Sequence, residues 1–186
     1  AMDFMSKRGL YAELPAFTDY EWIGGVITSV GVAGDGGTLL TLENPLSGNI
    51  SVSLPTSIMI YENNMLTNSS ALRTGQYARV NQNARGTAQA VRLSGALTTV
   101  TGTVSSVDQD RISLTVEGAS RSYAIDRFTK VQAGSAVGGP EVIDAQAGYT
   151  TAQCYVDAMG HLAALKLDGG SRSEQGILVS IVETAE

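Results

Sequence analysis

Gly25-Val-Ile-Thr-Ser-Val30 returns as Gly102-Thr-Val-Ser-Ser-Val107 and begins again as Gly176-Ile-Leu-Val-Ser-Ile181. The shared pattern is Gly-x-aliphatic-x-Ser-aliphatic, and its starts lie 77 and then 74 residues apart. The register holds downstream. Gly86-Thr-Ala-Gln-Ala-Val-Arg-Leu93 is answered 74 residues later by Gly160-His-Leu-Ala-Ala-Leu-Lys-Leu167, and Gly75 is answered 73 residues later by Gly148. Self-similarity at a fixed period is the mark of a repeated structural unit. The chain therefore divides into residues 1–20, a linker or the end of a preceding module; 21–96, the first repeat; 97–170, the second; and 171–186, the first strand of a third. The opening Ala1-Met2-Asp3 and the third start together suggest a piece cut from a longer array.

Within each repeat, short runs rich in β-branched residues alternate with Gly, Asn, Asp and Ser clusters, the pattern of an all-β domain. Strands are expected at Ile23–Val30, Thr38–Leu42, Ile50–Leu54, Ile58–Ile60, Gln76–Asn81 and Thr87–Leu93. In the second repeat they are expected at Val100–Val107, Arg111–Val116, Arg121–Ile125, Phe128–Val131, Tyr149–Asp157 and His161–Leu167. Ile50-Ser-Val-Ser-Leu54 and the positions Ile112, Leu114 and Val116 keep a period of two, which implies one buried face. Ser69–Arg73 reads as a helical turn. Ile27 and Val30 are three apart, as are Val104 and Val107, so a regular strand would send them to opposite faces. Either both faces are covered or a bulge re-aims the strand, and the preceding glycine favours the bulge. Bent first strands let a small sheet curl and close. The expected fold is two small tandem antiparallel β-barrels, partly open and OB-like, of five to six strands each, with a sandwich as the alternative.

The charge balance constrains partners. Twelve Lys and Arg against 18 Asp and Glu leave a net charge of −6, with only three lysines (Lys7, Lys130, Lys166). Proteins that bind nucleic acid gain most of their affinity by neutralising phosphates, so a nucleic-acid partner is not expected. No apolar run reaches the length that spans a bilayer as a helix, and membrane insertion is not expected. Cys154 stands alone in an alternating apolar stretch and reads as a buried small hydrophobe.

Few residues offer catalysis or metal binding. His161 is the only histidine, and the corresponding position of the first repeat is Thr87. It reads as a turn residue facing solvent. No nucleophile elbow, zinc-protease helix or phosphate-binding loop occurs. Asp108-Gln-Asp110 reads as a hairpin turn, and Ala33-Gly-Asp-Gly-Gly37 joins two strands instead of opening a helix, so it lacks the geometry of a phosphate site. Arg92 and Lys166 are expected to point outward between inward aliphatics. No enzyme activity, cofactor or metal is expected. The aromatic residues Tyr20, Trp22, Tyr61 and Tyr123 are the candidates for contact with a ligand or partner. Tyr11, Phe17, Tyr20 and Trp22 are expected to pack against the first repeat.

The repeated Gly-x-Val-x-Ser-Val start, Leu72-Arg-Thr-Gly-Gln-Tyr-Ala-Arg-Val80 and the closing Ala88–Leu93 resemble the small tandem β-barrel repeats of bacterial cell-surface proteins, modules that often accompany S-layer homology domains. The resemblance covers about residues 21–182 and carries no catalytic residues. It implies a non-catalytic structural or spacer module, extracellular or at the cell surface, whose partners are neighbouring domains or subunits of a surface assembly. Alternatives are a carbohydrate-binding module that contacts cell-wall polysaccharide and an oligonucleotide-binding barrel. The third start, Gly176–Val182, is expected to pair with an edge of the second repeat, with residues 1–20 or with a neighbouring molecule, because an unpaired apolar strand is a liability.

Overall fold

The computed structural model describes residues 21–170, so the expectations for residues 1–20 and for Gly176–Val182 lie outside the described residues. The described residues are all-β apart from two single turns of 3-10 helix, and their contacts divide them into two units, 21–44 with 49–94, and 95–170 with the turn at 45–48.

The first unit contains β1 (Trp22–Val32), β2 (Thr38–Asn44), β3 (Gly48–Leu54), β4 (Met59–Glu62), β5 (Met65–Thr67), a 3-10 turn at Ser69–Ala71, β6 (Tyr77–Gln82) and β7 (Ala88–Leu93). They form one sheet in the order β3-β2-β1-β6-β7-β4-β5. The second unit contains β8 (Thr98–Val107), β9 (Arg111–Val116), β10 (Ala119–Ala124), β11 (Lys130–Ala133), β12 (Ala136–Gly138), a 3-10 turn at Pro140–Val142, β13 (Thr151–Val156) and β14 (Leu162–Asp168). Its sheet runs β10-β9-β8-β13-β14-β11-β12, the same arrangement strand for strand.

The repeated hexapeptide is the middle of the central strand, and it is bulged in both units. The β1–β2 register shifts between Ile27 and Ser29, and the β8–β9 register between Val104 and Ser106. The extra residues are Thr28 and Ser105. Each bulge returns the second aliphatic to the face of the first: Ile27 and Val30 sit opposite Leu42 and Leu40, while Val104 and Val107 sit opposite Leu114 and Ile112. This accounts for the three-residue spacing. The leading glycines are required by close backbone approach. A Cβ on Gly25 would lie 3.0 Å from the Glu43 carbonyl, and one on Gly102 would lie 2.5 Å from the Thr115 oxygen.

The expected barrels are not present. Each sheet has seven strands, is mixed, and stays open. The sequence expectation omitted β5 and β12, and it made every neighbour antiparallel. In the structure β4 runs parallel to β7, with Ile60 opposite Val91, and β11 runs parallel to β14, with Val131 opposite Leu165. The short links from β3 to β4 and from β10 to β11 carry the chain to the far side of the sheet. There β5 and β12 end the ladder instead of joining β3 and β10. Each open sheet still surrounds one core. In the first unit, Val52 and Leu54 from one edge, Ile60 near the other, and Ile27, Leu40, Val80 and Val91 between them belong to one buried cluster. In the second, Ile112, Leu114, Val131, Cys154, Leu165 and Leu167 do the same. A sandwich-like arrangement, with the sheet turned over its own core, fits these contacts.

Two turns carry the duplication at atomic detail. In the β6–β7 hairpin, Asn83 Oδ1 accepts from the backbone N–H groups of Arg85 and Thr87 at 2.9 and 3.0 Å. In β13–β14, Asp157 Oδ1 accepts from those of Met159 and His161, both at 2.9 Å. Such side-chain caps favour Asn and Asp at turns. Asp108 likewise caps its own turn, accepting from Asp110 N and Arg111 N at 2.8 and 3.0 Å.

Candidate functional site

The face of the first sheet opposite its core cluster carries a row of large side chains, partly or wholly buried. Gly24, Arg79, Arg92 and Tyr61 are successive partners across β1, β6, β7 and β4. Their neighbours Ala78, Val80, Val91 and Ile60 point the other way, into the core. The Arg92 guanidinium lies over the Tyr61 ring, 4.7 Å from its centroid, a cation–π contact. Trp22 lies two residues from Gly24 on the same face, opposite Asn81. Tyr77 also lies on this face and reaches across Gly24, where a Cβ would collide with its hydroxyl. Arg79 and Arg92 face each other across neighbouring strands, an arrangement that is unfavourable for like charges. Stacking on Tyr61 offsets part of that for Arg92.

Trp22 and Tyr61 thus share one face, with two strands between them. Tyr123 stands on β10 of the second unit, half-buried against that unit's core, so it does not belong to this face. Tyr20 lies outside the described residues. The second unit does not reproduce the row. Thr101, Gln153, Lys166 and Gln132 hold the matching places on β8, β13, β14 and β11. Arg92 and Lys166 do point away from the core, between the buried pairs Val91/Leu93 and Leu165/Leu167.

His161 has closer company than its sequence context suggests. Its Nε2 is 2.9 and 3.0 Å from the Asp126 carboxylate oxygens, and its Nδ1 is 3.9 Å from Asp157 Oδ2. Both carboxylates also hold backbone: Asp126 accepts from Phe128 N, and Asp157 caps the hairpin. The buried Thr129 hydroxyl donates to the Leu162 carbonyl at 2.8 Å. The imidazole therefore ties the turn at Asp126–Thr129 to the hairpin at Asp157–His161. The Thr129 hydroxyl beside this cluster is thus buried and engaged with backbone. In the first unit, Thr87 and Pro55 occupy the places of His161 and Asp126, in turns with the same backbone hydrogen bonds.

Cys154 is buried in the second core, and burial pushes its thiol up to about 12. A thiol held neutral is not a nucleophile. Among the described residues, no group of three or more His, Cys, Asp or Glu is placed to hold a metal ion, and no helix is long and apolar enough to cross a membrane.

The two units differ most where the 3-10 turn leads into the next strand. In the first, Glu62 Oε2 accepts from Arg73 at 2.8 Å and from Gln76 Nε2 at 3.0 Å, while Gln76 Oε1 accepts from Arg73 N at 3.0 Å. In the second, Ala133 and Asp144 take the places of Glu62 and Arg73, and the connection into β13 is three residues longer than that into β6. The Tyr149 hydroxyl accepts from Asp144 N at 3.2 Å. A pocket of about 490 Å³ opens here, walled by Ala133, Ala136, Val142, Asp144, Tyr149 and Asp168. No sequence motif marks it, because its lining comes from a small residue and a longer loop at separate places. No known protein family model matches the chain, and no curated protein matches it.

Proposed function

We propose that this protein is a non-catalytic structural module of a bacterial cell-surface or S-layer-associated assembly, in which it spaces or presents neighbouring domains. One observation carries the reading: what the two units share is scaffold, and what they do not share is polar chemistry. Sheet order, bulge, leading glycine and capped hairpin recur. Among the described residues, the Arg–Tyr row and the His161–Asp126 pair each occur in one unit only. A duplicated catalyst would be expected to keep its reacting groups in at least one convergent cluster. The surface location rests on the resemblance of the repeats. Shaving intact cells of the source organism with protease, followed by mass spectrometry, tests it. Release of peptides from 21–170 is expected, and their appearance only after lysis would overturn the reading.

A second reading, contact with envelope polysaccharide, is favoured by the face of the first sheet opposite its core. Half-buried Trp22 and Tyr61 both lie there, and aromatic rings of this kind pair an apolar body with a polar handle. Affinity electrophoresis in gels containing wall polysaccharide tests it. Retardation abolished by Trp22→Ala with Tyr61→Ala supports it, and equal mobility with and without polysaccharide removes it.

A further inference from the structure

The first sheet ends in β3 and the second in its counterpart β10, and the two edges are built differently. An edge strand offers unpaired N–H and C=O groups to any other strand. Proteins blunt such edges by keeping them short or by placing charges on them, including on the inward face. The two edges can be matched residue by residue. Thr41 Oγ1 lies 3.4 Å from Ser51 Oγ, as Ser113 Oγ lies 2.6 Å from Ser122 Oγ, so Ile50 stands where the second unit has Arg121. Arg121 is opposite the buried Leu114, on the inward face, and is itself exposed. Ile50 is 42% exposed and brings no charge to that place. None of the seven residues of β3 is charged or proline, whereas β5 and β12, at the far ends, hold only three residues each. Among the described strands, β3 is the long edge without protection.

Its backbone is turned outward at three places. The Leu54 carbonyl faces Gly37, where a Cβ would collide with it. Successive residues of a strand send their hydrogen-bonding groups to alternate sides, so those of Asn49, Ser51 and Ser53 point away from β2. All three residues are exposed. The sequence also reads alike in both directions from Ser51, first an aliphatic residue (Ile50 or Val52) and then a polar one (Asn49 or Ser53). A surface that meets its own copy across a twofold axis needs this property, because residue i must suit j while j suits i.

We propose that β3 is the docking edge for a second copy of this chain, paired antiparallel about a twofold axis through Ser51. Asn49 then exchanges backbone hydrogen bonds with Ser53 of the second copy, and Ser51 with its own counterpart. Ile50 lies opposite Val52 of the second copy, which covers its exposed side chain. The two sheets become one ladder with no charged residue at the seam. A strand from another protein would need no symmetry about Ser51, and that symmetry selects the second copy. Seven residues a side fall short of the roughly 20–30 a side of a stable interface, so the pairing is reversible and depends on concentration. This inference stands on the β3 edge alone and holds wherever the protein resides.

Cross-linking of single-cysteine substitutions in the whole chain by oxidised glutathione tests it. Cys154 is buried in the second core and takes no part. Opposed residues of a hydrogen-bonded antiparallel pair stand about 5.5 Å apart at Cα, within disulfide reach. Ser51→Cys is therefore expected to form covalent dimers at least about tenfold faster than Ser53→Cys, whose two copies would sit about 14 Å apart along the strand. Ile50→Arg gives β3 the charge that β10 carries. It should slow the Ser51→Cys cross-link about tenfold, and alone it should abolish the concentration-dependent dimer seen for the parent in analytical ultracentrifugation. Unchanged amide exchange in β1 reports that the sheet remains folded in each variant. Equal or absent cross-linking at positions 51 and 53 overturns the proposal, as does a cross-link unaffected by Ile50→Arg. A parent protein that sediments as a monomer at every concentration also overturns it.

Discussion

Gly25 and Gly102 show how one atom can decide a fold. At each, a Cβ would press on the neighbouring strand beside the bulge, so any side chain forces the central strand off its partner. Gly25→Val and Gly102→Val are each expected to cost about 1–3 kcal/mol in urea unfolding, the range for overpacking a tight site. The larger loss is expected at Gly102, where the approach is closer. Cys154 gives a pH-dependent counterpart. Burial raises its thiol to about 12, whereas an exposed thiol ionises near about 8.5. The unfolded chain therefore loses this proton first. The resulting stability is complete below the unfolded value and is lost as pH rises through the folded one. Melting temperature should fall between these limits, and Cys154→Ala should flatten the fall. The native thiol should stay inert to a thiol reagent until the protein unfolds.

At the scale of elements, the long strands were legible because their patterns are unambiguous. Arg111–Val116 alternates cleanly and is a strand with those bounds. The bulge was legible in the spacing of Ile27 and Val30. Short hairpins were not, since Met65–Thr67 and Ala136–Gly138 hold three residues each, too few for a period. A turn signal did exist for the first: Asn63 and Asn64 both take the left-handed conformation, φ 53° and 68°, as a two-residue hairpin demands. Asn63→Ala is expected to destabilise the first unit by about 1–2 kcal/mol, the cost of that conformation for an ordinary residue, while Asn64→Gly should be close to neutral. Parallel pairing of β4 with β7 left no mark at all, because Ile58–Ile60 is apolar whichever way it runs. The barrel expectation failed on that point. Of the candidate contact residues, Trp22 and Tyr61 do share a face, but sequence could not show that Tyr123 packs against the other core. Nor could it show Asp126 beside His161, 35 residues away, or a pocket made by Ala133.

At the scale of the whole molecule, one sheet order is built twice, and the proposed role is architectural. Two open sheets, each with its own core, are expected to resist load separately. Pulling the entire chain from its ends in a force spectrometer tests this most directly. Two distinct unfolding events are expected, each lengthening the chain by about 25 nm, the extended length of one repeat. Protein carrying Gly25→Val should lose force in one of the two events only. A single cooperative rupture releasing both repeats together would contradict it.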